Sequence, residues 1–307
     1  MTWMMACGCR PFGCSSAAWA KVVIAPTALA TIGKHNVRIA YVDKCGDLLG
    51  AFVPVSHASS ADVFLRQCAI YTNPKRRLAL ARLLEEASIH NMRANLRCCA
   101  RRGREPLAEH VDCLSSMLDE LGSAKGVDAL RLFEARARKR HCSAFAEILV
   151  GTDFDFAKRT RRPPRDPGNA MVSFGNAILY NVVLQAIWRT SLDPKVGVVH
   201  AANRRAFGLD LDIADLFKPV IVDRVVFSLV NRRATDADGH FEPHGDDGAY
   251  LSRSGRRPLI DAMEKKLDDT VMCGSLRQSY RRVMSGEVAR FQRFVVTGER
   301  YRPYKYY

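Results

Sequence analysis

The sequence predicts an α+β protein that is mostly α, with a small partial β domain over residues 1–58 and a large all-α domain over residues 59–307. Two observations carry this. Short β-branched runs separated by turn residues are confined to the segment before residue 60, and from Asp62 onward apolar residues recur at helical spacing. The polar stretch 56–61 divides the two regimes and is read as a linker.

Residues 1–20 show neither period and fit no element. VVIAP (22–26), VRIAYVD (37–43) and LLGAFVPV (48–55) read as strands, and the turn Lys44-Cys45-Gly46-Asp47 makes the last two a hairpin. Helical spacing then runs through 62–101, broken at Asn73-Pro74, where proline removes a donor and disfavours a helical residue before it. Further helices are expected over 107–121, 127–150 and 173–189. The last is apolar nearly all round and so central to the core. Another helix is read from Pro219 to 231, with proline at its first position. Residues 255–269 and 276–298 are amphipathic. The closing ERYRPYKYY (299–307) alternates aromatic and basic residues, which suits contact with a nucleic acid strand or a strap over the core.

Composition narrows the function classes. Over 307 residues, 47 Lys and Arg against 32 Asp and Glu leave a net charge of +15, which favours a polyanionic partner, nucleic acid being the commonest. Ten cysteines form no CxxC pair and no zinc spacing, so they read as small buried apolar residues in a reducing cytoplasm. No run of about eighteen apolar residues is uninterrupted, and none is expected to span a membrane. The first thirty residues lack a basic leader region and are not read as a signal peptide.

The chemistry gathers between 196 and 233. His200 follows a β-branched run, and Asp212 and Asp215 stand three apart in a helical segment, on one face. Two uses fit such acids: a metal site, or helix caps and ion pairs with Arg204, Arg205, Lys218 or Arg224. On the helix over 127–150, Glu134 falls inside the apolar stripe beside Leu130 and Ala137, where a carboxylate needs a compensating charge. His141 lies in the same stripe, as a rival ligand or as the ion-pair partner of Glu134. Glu134, His200 and Asp215, with Asp212 beside them, make a nitrogen and oxygen set without cysteine, suited to Mg²⁺ or Mn²⁺ and to phosphodiester chemistry. Between the two segments, KRTRRPPRDPGNA (158–170) packs cations around prolines that hold them on a stiff loop fit to follow a phosphate backbone.

These motifs carry a resemblance. The run from His200 through Asp212, Asp215, Lys218-Pro219 and Val222-Asp223-Arg224 resembles the CRISPR-associated spacer-acquisition integrase family, the universal "Cas one" nuclease. The helix around Glu134, the segment RRPPRDPGNAMVSFGNAILY, the run YLSRSGRRPLIDAMEKKL and the closing ERYRPYKYY are also similar, so the likeness covers roughly residues 30–307. Ala135 stands where the family usually has glycine, and Gly208 where serine is common. Residues 1–20 do not resemble the family's longer β domain, so the likeness is to an N-terminally shortened member.

The resemblance implies a cytoplasmic, metal-dependent DNA endonuclease and integrase that inserts DNA fragments into a CRISPR array. It further implies a homodimer joined to a small partner protein, with no membrane association. It makes Glu134, His200 and Asp215 the Mg²⁺ or Mn²⁺ ligands and Asp212 an accessory acid. Arg161, Arg162, Arg165 and Lys218 are the expected nucleic-acid contacts, on double-stranded DNA, branched DNA or single-stranded ends. Two other readings share these residues: a DNA-binding scaffold with an impaired metal site, and a metal-dependent RNA or phosphomonoester hydrolase.

Overall fold

The computed structural model describes residues 3–7, 15–18, 23–35, 37–43, 48–54, 60–101, 107–154, 156–200, 207–237, 239–244 and 248–307. The first part is an antiparallel sheet with one helix. Strands β1 (Trp3–Cys7) and β2 (Ser15–Ala18) precede helix α1 (Pro26–Lys34), and β3 (Arg38–Val42) and β4 (Leu48–Phe52) complete a four-stranded sheet of order β2-β1-β3-β4. The expected hairpin is present, with Ile39 opposite Phe52 and Tyr41 opposite Gly50, while its turn at 44–47 lies outside the described residues. Two expectations are corrected. Residues 1–20, read as featureless, supply β1 and β2, and β1 pairs with both β2 and β3. VVIAP is not a strand: residues 23–25 are irregular and Pro26 opens α1, where its missing N–H costs nothing.

The helical part begins with α2 (Ala61–Thr72) and α3 (Pro74–Ala100), divided by Asn73, whose side chain accepts from the Arg76 N–H at 3.0 Å and caps α3. Helices α4 (Ala108–Glu120) and α5 (Val127–Ser143) follow. A break at Ala144 sets off the short α6 (Phe145–Ile148), so the single helix expected over 127–150 is two. Helix α7 (Pro167–Ile187) is capped by Asp166, whose carboxylate accepts from Asn169 N–H at 2.7 Å. It is the one helix among the described residues long and apolar enough to cross a membrane, and 83% of its apolar window is buried inside the protein, as in a core helix.

Helix α8 (Gly208–Asp215) leads through a turn at 216–221 into α9 (Val222–Asn231). Pro219 sits in that turn and not at the start of the helix. The remainder corrects the all-helical expectation locally: hairpin β5 (Phe241–His244) and β6 (Gly248–Leu251), helix α10 (Arg253–Asp268), hairpin β7 (Thr270–Cys273) and β8 (Leu276–Ser279), then α11 (Tyr280–Thr297). Four-residue strands are too short to display a period of two against helical neighbours. The chain remains mostly helical, as the sequence predicts.

Helix α7 is the axis of the core, with α8, α9, α10 and α11 packed on it, and Ala40 of β3 clusters with Leu184 and Trp188 of α7 to join sheet to helices. The closing residues 299–307 are a strap: Tyr301 and Tyr304 are buried, and Tyr304 stacks on Phe217 at 5.0 Å between ring centroids. The cysteines depart from expectation. Among those described only Cys142 is buried, and Cys68, Cys98, Cys99, Cys113 and Cys273 are half-buried.

Candidate metal centre and its cationic recess

The loop that carries His200 is fixed from three sides. Gln67 of α2 donates to the carbonyls of Asp193 and Val196 at 2.9 and 2.7 Å and accepts from Asp193 N–H at 3.0 Å. Arg77 of α3 donates to Val198 O at 2.8 Å. Gly197 lies so close to Gly208, the first residue of α8, that a Cβ on Gly197 would stand 2.7 Å from the Gly208 carbonyl carbon.

Asp212, on the second turn of α8, receives the loop. Its carboxylate accepts the N–H of Val198, of Val199 at 3.2 Å and of His200 at 3.0 Å, and also meets His200 Nδ1 at 2.8 Å. A carboxylate only accepts, so Nδ1 carries the proton and Nε2 is the nitrogen left for a ligand role. Burial opposes charging of His200, but the hydrogen bond to Asp212 and the fields of Asp215, Asp212 and Glu134 outweigh it and raise its pKa.

Asp215, one turn further, is buried and paired with two cations. Lys218 Nζ and Arg138 Nη2 both meet its Oδ1, the latter at 3.1 Å. Burial works against its charged form, yet Lys218, Arg138 and His200 prevail and hold its pKa below the usual carboxylate range. Arg138 Nε also donates to Glu134 Oε1 at 3.1 Å, one helical turn back on α5. One guanidinium therefore bridges Glu134 and Asp215. The end of α8 is tied to α3 by Ser88 Oγ on Asp215 O at 3.3 Å and Asn91 Nδ2 on Leu216 O at 2.8 Å.

Of the two uses open to the acids, ion pairing is present in part. Asp212 caps a loop and Asp215 pairs with Lys218, while Arg224 instead meets Asn95 at 3.0 Å and the Tyr306 hydroxyl at 2.9 Å. Arg204 and Arg205 lie outside the described residues. His141 is not the partner of Glu134. It is buried with Nδ1 3.8 Å from Asp223 Oδ2; burial and Arg138 lower its pKa to about 3, and burial raises that of Asp223 to about 7, against Arg138, Arg159 and Lys218. Among the described residues no three His, Cys, Asp or Glu side chains are gathered as a ready metal cage. The donor set of Glu134, His200 Nε2 and Asp215 fits Mg²⁺ or Mn²⁺ in kind, and Arg138 stands between two of its members.

Beside this cluster is a recess of about 450 Å³ lined by Arg138, Arg159, Arg161, Arg162 and Lys218, with Tyr180, Asn176 and Asp223. The cations have different duties. Arg159 is structural, donating to Asn169 Oδ1 at 2.8 Å and Ser173 Oγ at 2.9 Å, and Asn169 Nδ2 holds Lys158 O at 2.8 Å, which binds the loop to α7. Arg161, Arg162 and Arg165 are exposed. Lys218 is buried, 4.7 Å from the Tyr180 ring centroid, so it can reach only what enters the recess.

The sequence model of the family described as CRISPR associated protein Cas1 matches residues 17–265. The chain belongs to the Cas1 family. A CRISPR-associated endonuclease Cas1 from Haloferax volcanii is 36% identical over 276 residues, covering 89% of this chain and 82% of the relative. The structure of a Cas1 protein from Thermotoga maritima matches with a TM-score of 0.81 at 28% identity, covering 97% of this chain and 94% of that one. A casposase bound to integration product shares the fold, with a TM-score of 0.72 at 21% identity over 90% of this chain and 80% of that one. Ala135 is exposed, whereas Gly208 allows the close approach to Gly197.

Sequence reasoning missed Arg138, Asp223 and Glu85. The spacing of four between Glu134 and Arg138 is a readable helical ion pair. Glu85, buried on α3, gave no such signal: burial, with Glu134 and Asp215 adding, raises its pKa well above the usual range, and its Oε2 has no hydrogen-bond partner among the described residues.

Proposed function

We propose that this protein is a metal-dependent DNA endonuclease and integrase that inserts foreign DNA fragments into a CRISPR array, in the cytoplasm, as a homodimer with a small partner protein. The observation that carries the reading is the meeting of α5, the His200 loop and α8 in one acid cluster that shares Arg138 and Lys218 with the wall of a cationic recess, in a chain whose relatives are named endonucleases.

Glu134, His200 through Nε2, and Asp215 would hold Mg²⁺ or Mn²⁺. Bound there, the ion would polarise a phosphoryl oxygen and lower the pKa of an attacking water or strand hydroxyl. Asp212 keeps Nδ1 protonated and the imidazole aimed, and so acts through His200. Arg161 and Arg162 offer charge-assisted N–H donors to phosphate oxygens at the recess, and Arg165 extends the cationic track outside it. Lys218 stabilises Asp215 and adds positive potential where negative charge grows at phosphorus.

The test is cleavage of branched or single-stranded DNA with Mn²⁺, expected to stop with EDTA and with His200→Ala. Faster turnover of RNA or of a small phosphomonoester than of DNA would replace the substrate assignment. One observation favours the scaffold reading: Arg138 and Lys218 already neutralise the carboxylates. That reading requires DNA binding with no turnover at any metal concentration.

A further inference from the structure

Arg138 is the cation of the acid cluster that the proposed chemistry does not use. Its Nε meets Glu134 Oε1 and its Nη2 meets Asp215 Oδ1, each at 3.1 Å, and the side chains of Arg138 and Glu134 are only 14% and 18% exposed. Ions so enclosed are screened little by salt. Asp215 Oδ1 also receives Lys218, so two cations crowd that one oxygen.

We infer that Arg138 and a divalent metal ion are alternative occupants of the Glu134 and Asp215 carboxylates, so that Arg138 sets how much metal this protein needs before its site loads. The inference rests on the reading of Glu134, His200 and Asp215 as the ligand set. Its physical basis is charge and space. Arg138 and Lys218 already offset two of the three carboxylates Glu134, Asp212 and Asp215, so a dication added beside both would leave an uncompensated positive excess in a buried place. The guanidinium also spans the oxygens that coordination would draw together. Arg138 borders the recess, so its side chain can turn toward that open volume while α5 stays fixed. Lys218 remains on Asp215 when Arg138 leaves, and the buried carboxylate is not stranded.

The experiment is Mn²⁺ titration of the full chain by calorimetry, with Arg138→Met, Arg138→Lys and Asp215→Asn alongside. Arg138→Met is expected to tighten Mn²⁺ binding by roughly tenfold or more, while Arg138→Lys stays near the parent. Guanidinium chloride far below denaturing concentrations should weaken Mn²⁺ binding to Arg138→Met and leave the parent unchanged. Arg138→Gln carries the same expectation as Arg138→Met should the latter not fold. Equal or weaker binding by these neutral variants, with Asp215→Asn still lowering affinity, would overturn the exchange and leave the ligand set standing. Binding by none of the proteins, neutral variants included, would overturn the ligand set itself.

Discussion

Asp212 holds His200 twice, through its backbone N–H at 3.0 Å and its Nδ1 at 2.8 Å, while the same carboxylate takes the N–H groups of Val198 and Val199. One acid thus fixes both the path of the loop and the tautomer of the imidazole. This makes Asp212 a positioning residue and distinguishes its loss from the loss of a ligand.

Asp212→Asn turns one acceptor oxygen into a donor facing N–H groups. Denaturant melts should show a loss on the order of 1–3 kcal/mol, the cost of a buried donor left unmatched. His200→Ala removes only the side-chain contact and should cost less. A melt in which Asp212→Asn equals the parent would remove the loop-holding role.

Gly197→Ala tests the close approach of loop and helix. Its Cβ would meet the Gly208 backbone at 2.7–2.9 Å, and backbone cannot yield as a flexible side chain can. A loss of about 2 kcal/mol or more is expected, with His200 displaced. Gly122→Ala, whose Cβ would meet nothing within 4 Å, is the control and should change little.

Asp223 supplies a pH test. Its folded pKa is about 7, above the ordinary 3.8, because burial penalises its charged form more than Arg138, Arg159 and Lys218 favour it. The folded state therefore holds this proton more tightly than the unfolded chain. Its contribution to stability is full below pH 3.8 and is lost as pH rises through about 7. Asp223→Asn should leave stability unchanged near pH 4 and raise it at pH 8, read from melting temperature across that range. Destabilisation at pH 8 would show that the charged carboxylate is needed.

The exposed cations give a salt test. Replacing Arg161, Arg162 and Arg165 with alanine should weaken binding to all DNA sequences alike and reduce the slope of log K against log salt by about 0.9 per lost phosphate contact. Arg159→Ala should instead destabilise the fold, because that side chain secures Asn169 and Ser173. An unchanged slope in the folded triple variant would exclude these arginines from the interface.

Much of this was legible because the determinants are local. Asn73-Pro74 announces the break between α2 and α3, and the step from Asp212 to Asp215 places both acids on α8, whereas α7 opens at Pro167, inside the stretch read as a stiff loop and ahead of the expected start at 173. What was hidden depends on tertiary placement. Strands β1 and β2 have no readable alternation and exist through pairing with one another and with β3. Asp212 and Asp215 look equivalent in sequence, yet one meets backbone N–H groups and the other meets Arg138 and Lys218. The sequence offers His141, which shares the apolar stripe, as the partner of Glu134. Arg138 takes that place, one helical turn on from Glu134, with a side chain long enough to reach Asp215 on α8 as well.

The most direct test of the central claim compares Mn²⁺-dependent DNA cleavage with DNA affinity in Glu134→Gln, His200→Ala and Asp215→Asn. Affinity should stay near that of the parent in all three, since the basic surface supplies binding, and cleavage should be lost in all three. Full cleavage by Glu134→Gln, with its loss in His141→Ala, would contradict the assignment of the ligand on α5.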